Sequence, residues 1–179
     1  ELIGAASAAK IFGIPIAHIH GGEITEGSLD EIIRHSITKM SDIHFVANEV
    51  YKKRIIQMGE NPQKVFNVGG LGVDAIKKTK IMKKNILEKS LGLKFTETNF
   101  LITFHPNTEN YKVDSEFEIR EILKALSFFK NAVQIFTMPN ADPGNKLIIK
   151  AIKHYVKKNR NAYCFESLGQ LRYLSCLSY

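Results

Sequence analysis

The sequence predicts an α/β protein built from two Rossmann-like domains, each represented in part, and three observations carry the reading. Short β-branched or aromatic runs alternate with amphipathic segments of helical period along most of the 179 residues. Polar loops bearing Gly or Pro follow the strand-like runs at 20–28, 69–72, 105–114 and 139–145. A Lys-rich connector with a covering helix over 77–98 interrupts the alternation. Residues 1–76 then read as the C-terminal part of a first domain and 99–179 as the N-terminal part of a second. Strands that alternate with helices of about 10–15 residues form βαβ units, hence a mostly parallel sheet covered by helices.

The first domain opens with an Ala- and Ile-rich helix over 2–12, stopped by Gly13, a residue suited to a left-handed cap. Pro15 precedes a strand at 16–19. The next segment carries Gly21, Gly22 and Gly27 and reads as irregular. Ser28 with Glu31 has capping-box spacing, and Ile33, Ile37 and Met40 stripe the helix that follows. Residues 43–47 read as strand, and Asn48 caps a helix over 49–58 that Gly59 closes. A strand over 65–68 runs into Gly69, Gly70, Leu71 and Gly72, read as loop. In the connector, a helical patch over 86–91 ends at Gly92. The second domain reads as a strand over 100–104 and a helix from Ser115, with Glu118 completing a second capping box. A strand over 133–138, a helix over 146–158 and a short strand over 162–165 follow.

The 25 basic and 18 acidic residues leave a formal charge of +7. Much of the excess lies in two runs, Lys77, Lys78, Lys80, Lys83, Lys84 and Lys150, Lys153, Lys157, Lys158, Arg160. Both read as solvated helix faces or loops, so no nucleic-acid partner is expected. With no apolar run of about 18 residues and no basic-then-apolar leader, neither a membrane span nor a signal peptide is expected. Cys164 and Cys176 form neither a CxxC pair nor a disulfide framework, which points to a reduced, cytoplasmic chain.

Ligands of open α/β sheets gather beyond the carboxyl ends of the strands, which selects the four loops. His18 and His20 lie two apart and share one side of a strand, but no further ligand has metal-site spacing, so no metal is expected. His18 reads as packed in the strand and His20 as available to a ligand. Glu23 and Asp30 are the carboxylates best placed for proton transfer; Asp30 and Glu31 equally suit a plain helix start. Arg34 and His35 stand four residues beyond them and can orient carboxylates or reach a phosphate. Gly69, Gly70 and Gly72 permit close backbone approach without completing a dinucleotide fingerprint. His105 ends a strand before Pro106 and a polar loop, while Asn140, Asp142 and Gly144 lead into a helix start that can meet an anion or serve as an ordinary turn.

At His18–Lys39 the string HIHGGEITEGSLDEIIRHSITK resembles the hydrolysing UDP-N-acetylglucosamine 2-epimerases of sialic and legionaminic acid biosynthesis. The likeness continues through DIHFVANEVYKKRIIQMGE at 42–60, VFNVGGLGVDAI at 65–76, ITFHPNT at 102–108 and MPNAD at 138–142. It implies the two-domain fold of B-type nucleotide-sugar glycosyltransferases, with the active site between domains. It also implies release of UDP from a UDP-2-acetamido sugar by elimination and hydration, without metal or redox cofactor, in a homo-oligomer. Carried over, Glu23, Asp30 and His105 become the catalytic candidates. His20, Glu31, Arg34, His35, Gly70, Asn140, Asp142 and Gly144 become substrate-binding candidates. Glu1 resembles the end of the family's GDR(F/Y)E string, and its GNSSSG loop would follow residue 179, so the sequence is expected to be an inactive fragment by itself. A glycosyltransferase of the same fold and a non-catalytic nucleotide-sugar binding module are the alternatives.

Overall fold

The computed structural model describes residues 2–26, 28–106, 115–141 and 144–179. They divide into two compact units, residues 1–78 and 79–179. Both alternate strand and helix, and each holds a three-stranded, wholly parallel sheet. These are two Rossmann-like units.

In the first unit the elements are α1 (Leu2–Ile11), β1 (Ala17–Ile19), α2 (Leu29–Met40), β2 (Ile43–Val46), α3 (Glu49–Gln57), β3 (Val65–Asn67) and α4 (Leu71–Lys78). The strands lie in the order β1-β2-β3, with Ala17 opposite Ile43 and His44 opposite Val65. Val46, Ile55 and Val65 form the core beneath α3, with Tyr51 and Ile56 packed on it. Asp42 ties the entry of β1 to α1, accepting from the Ile16 amide at 2.9 Å and from Lys10 Nζ at 3.1 Å. Those two donors, the amide foremost, hold its carboxyl below the usual range.

The second unit comprises α5 (Lys84–Leu91), β4 (Asn99–Thr103), α6 (Ser115–Leu126), β5 (Val133–Thr137), α7 (Asn145–Lys158), β6 (Ala162–Phe165) and α8 (Gly169–Cys176). The strand order is β4-β5-β6. Alternation along β5 sends Val133 and Ile135 to one face, with Leu87, Leu91, Leu168 and Cys176. Phe136 lies on the other, with Ile119, Leu123, Ile148 and Ile152. Helices therefore cover both faces. Gln134, buried within the second layer, donates to the Leu126 carbonyl and accepts from the Tyr155 hydroxyl, so the polar side chain is satisfied.

Two helices differ from the sequence reading. The segment 69–72, read as loop, divides: Gly69 is left-handed at φ 83°, and α4 begins at Leu71 and includes Gly72. Helix α8 had no counterpart in the pattern, because it is short and opens on a left-handed glycine, Gly169, whose amide is met by Ser167 Oγ.

Candidate functional site

In the first unit the chemistry collects beyond the carboxyl end of β1. His20 is the one non-glycine residue with positive φ, at 62°, among the described residues. Its amide donates to the Phe45 carbonyl at 2.9 Å, extending the pairing with β2. Its Nδ1 lies 2.6 Å from Glu23 Oε1. Its Nε2 accepts, at 3.4 Å, from the backbone N–H of Leu71 at the start of α4. A ring nitrogen that accepts carries no proton, so the proton of the neutral ring sits on Nδ1 and is donated to Glu23. Both nitrogens thus have protein partners, and the ring holds the loop.

The two glycines between His20 and Glu23 let that loop lie flat on α3. A Cβ on Gly21 would stand 2.9 Å from His18 Nδ1 and 3.0 Å from Ile55 Cδ1. On Gly22, at φ 77°, it would stand 2.6 Å from the Tyr51 carbonyl oxygen. Arg54 of α3 donates to the Gly22 carbonyl. Arg34 of α2 donates to the Glu23 carbonyl at 3.2 Å and to Thr25 Oγ1 at 3.3 Å. Glu31 accepts from the Thr25 amide at 3.2 Å. Glu23, with its side chain 27% exposed, is thereby fixed by backbone and side chain yet open to solvent.

The remaining candidates of this unit lie along α2 and just before α4. Ser28 Oγ accepts from the Asp30 amide as the N-cap of α2, and the Asp30 residue is exposed in the first turn. His35 lies further along α2, with its Nδ1 buried and unpartnered among the described residues. Gly70 faces the His20 ring, a built Cβ standing 3.9 Å from Cε1. His18 is packed in the strand, as expected, with Nδ1 3.2 Å from the Thr38 hydroxyl. Burial foremost, then the neighbouring His44 and Arg34, lowers its pKa to about 4. Among the described residues no group of three His, Cys, Asp or Glu is arranged to hold a metal.

In the second unit His105 Nδ1 accepts from the Asn140 amide at 3.5 Å, and a Cβ on Gly144 would stand 3.7 Å from Pro106 Cβ. The loops after β4 and β5 are thus drawn together. Gly144, at φ 89°, opens α7, and Asn145 donates back to the Asn140 carbonyl at 2.8 Å. Asp142 lies outside the described residues. The sequence reading missed a hydroxyl cluster at the same strand ends: Thr103 and Thr137 are 2.8 Å apart, and Tyr173 of α8 lies 3.4 Å from Thr103. Register supplied the signal for the threonine pair, since Thr103 and Thr137 are direct neighbours. The roles of Arg54 and Thr25 had no signal in spacing.

A family model described as UDP-N-acetylglucosamine 2-epimerase matches residues 1–179. The chain is 44% identical over 178 residues to a Campylobacter jejuni protein named GDP/UDP-N,N'-diacetylbacillosamine 2-epimerase (hydrolyzing), covering 99% of this chain and 46% of that one. It is 33% identical over 179 residues to the Legionella pneumophila UDP-N,N'-diacetylbacillosamine 2-epimerase (hydrolyzing), again covering 99% and 46%. The chain spans about half the length of these curated relatives. A crystal structure of UDP-GlcNAc 2-epimerase from Neisseria meningitidis bound to UDP-GlcNAc matches with a TM-score of 0.78 at 21% identity, over 98% of this chain and 49% of that one. A Methanocaldococcus jannaschii UDP-GlcNAc 2-epimerase in complex with UDP-GlcNAc and UDP matches at 0.69 and 19% identity, over 98% and 48%. At such identities the likeness is one of fold.

Proposed function

This chain belongs to the UDP-N-acetylglucosamine 2-epimerase family, and from that premise we propose that the full-length protein carrying it is a hydrolysing 2-epimerase of a UDP-2-acetamido sugar. The observation that carries the reading is the Glu23 carboxylate, held by His20 while its backbone is clasped by Arg34. Proton abstraction next to the anomeric carbon needs a fixed base, and proximity supplies much of the rate. Glu23 or Asp30 takes the proton from C2 as the C1–O bond to UDP breaks, and the released electron pair forms a C1–C2 double bond. Water then adds its hydroxyl to C1 while a proton returns to C2 from the opposite face, giving the free 2-epimer.

Glu31, Arg34, His35 and Gly70 are the first unit's candidates for contact with the sugar or phosphates. In the second unit His105 stabilises the departing diphosphate, with Asn140, Asp142 and Gly144 on the substrate side. The names of the relatives favour a UDP-N,N'-diacetylbacillosamine-like substrate over UDP-GlcNAc.

The test is to incubate the full-length protein in deuterated water with each of these two sugars and follow the products by proton NMR. Free UDP together with a 2-epimeric sugar deuterated at C2 is expected. Intact substrates in both samples, with UDP still bound, would favour a binding module instead.

A further inference from the structure

We propose that His20 is a positioning residue, a wedge that locks the Glu23 carboxylate to the start of α4 and leaves its other oxygen directed to the reacting sugar. The proposal rests on Glu23 acting in the reaction proposed above. Three observations meet at this one residue. Its backbone occupies the left-handed region at φ 62°, where a β-carbon is disfavoured, and no other non-glycine described residue does so. Such conformations persist only where the surroundings hold them, and they cluster at functional sites.

The holding contacts are on three sides. The Phe45 carbonyl accepts the His20 amide, the Leu71 amide donates to Nε2, and Glu23 Oε1 lies 2.6 Å from Nδ1. Ordinary extended backbone would swing the ring off both of its partners, so the strained conformation is what lets one side chain bridge them. Glu23 Oε1 is consequently taken up by the protein.

This arrangement separates a role in placing Glu23 from a role in touching the ligand. Were His20 a ligand-binding group, its replacement would raise KM, whereas a loosened base lowers kcat. The two faces of the ring can also be replaced independently. In His20→Asn the side-chain amide reaches to about the Nδ1 position, and Asn tolerates left-handed backbone. In His20→Gln the longer side chain reaches to about the Nε2 position and leaves Glu23 without its donor.

The experiment uses the full-length protein. In the wild type, nitrogen-15 imidazole spectra are expected to show His20 protonated on Nδ1 and bare on Nε2, with the Nδ1 signal shifting in Glu23→Gln. With an accepted UDP-sugar, His20→Gln is expected to lose about 10- to 100-fold in kcat with KM within about twofold, the scale of a misplaced catalytic group. His20→Asn is expected to keep kcat within about threefold. An Nε2-protonated ring, or an Nδ1 signal indifferent to Glu23→Gln, overturns the proposal whether or not either variant folds. Equal kcat losses in two variants that melt like wild type, or a change confined to KM, overturn it as well. A wild type that turns over neither sugar refutes the proposed reaction and with it the positioning role, while the tautomer separately reports whether the wedge itself exists.

Discussion

A methyl group at Gly22 would meet the Tyr51 carbonyl oxygen at 2.6 Å on a backbone whose φ of 77° already disfavours any side chain. Backbone cannot yield as a flexible side chain can. Gly22→Ala is therefore expected to destabilise the full-length protein by about 2–4 kcal/mol, read as a lowered urea midpoint. Glu23→Gln keeps the shape of the loop and removes the base. Deuterium incorporation at C2 should fall about 10²- to 10⁴-fold, with little change in melting temperature. The residues of this loop were legible as types: a His, two Gly and a Glu at a strand end announce irregular backbone and a carboxylate. Their division of labour was not. That His20 turns inward, and that Gly21 and Gly22 are required by α3 instead of by a ligand, depend on φ and on long-range packing, which no spacing in the sequence encodes.

At the scale of elements, local chemistry explains most of what forms. Asn48 accepts from the Tyr51 amide and caps α3, the helix that bears Ile55 and Arg54 against the glycine loop. Asn48→Ala should cost about 1 kcal/mol and raise amide exchange at Tyr51, measurable by hydrogen exchange. Gly92, left-handed at φ 67°, stops α5 where the sequence places the stop. The strands were legible because each is a short β-branched or aromatic run, and the helices with cap residues were legible at their starts. Helix α4 was hidden because Gly72 lies inside it, which disfavours helix in isolation. In the structure the amide of its first residue, Leu71, has a partner in the His20 ring. Helix α8 was hidden because it is short and opens on Gly169, left-handed at φ 65°, whose amide donates to Ser167 Oγ at 3.1 Å.

For the molecule as a whole, two histidines drawn out of solvent, His18 half-buried and His44 buried, set an acid limit. His18 is held at about 4, mainly by burial, and burial outweighs the Glu60 carboxylate in lowering His44. The unfolded chain takes up protons at these positions that the folded chain refuses, so stability falls as pH drops from about 6.5 toward 4 and is recovered above that window. Asp42 and Glu88, whose pKa values are lowered, contribute stability that is fully present above their ordinary values of 3.8 and 4.5. The loss between pH 6.5 and 5 therefore belongs to the histidines. Urea midpoints across that range should decline in the wild type and less steeply in His18→Asn. The wholly parallel sheets carry a different consequence, one for synthesis on the ribosome. No two neighbouring strands are joined by a tight turn: Ala17 must wait for Ile43, and Asn99 for Val133, each across a helix. Nascent β1 and β4 thus emerge before β2 and β5, and each of these pairs can zip only after a whole strand–helix–strand length has cleared the exit tunnel. The pace of translation through α2 and α6 then sets how long those two pairings wait to form.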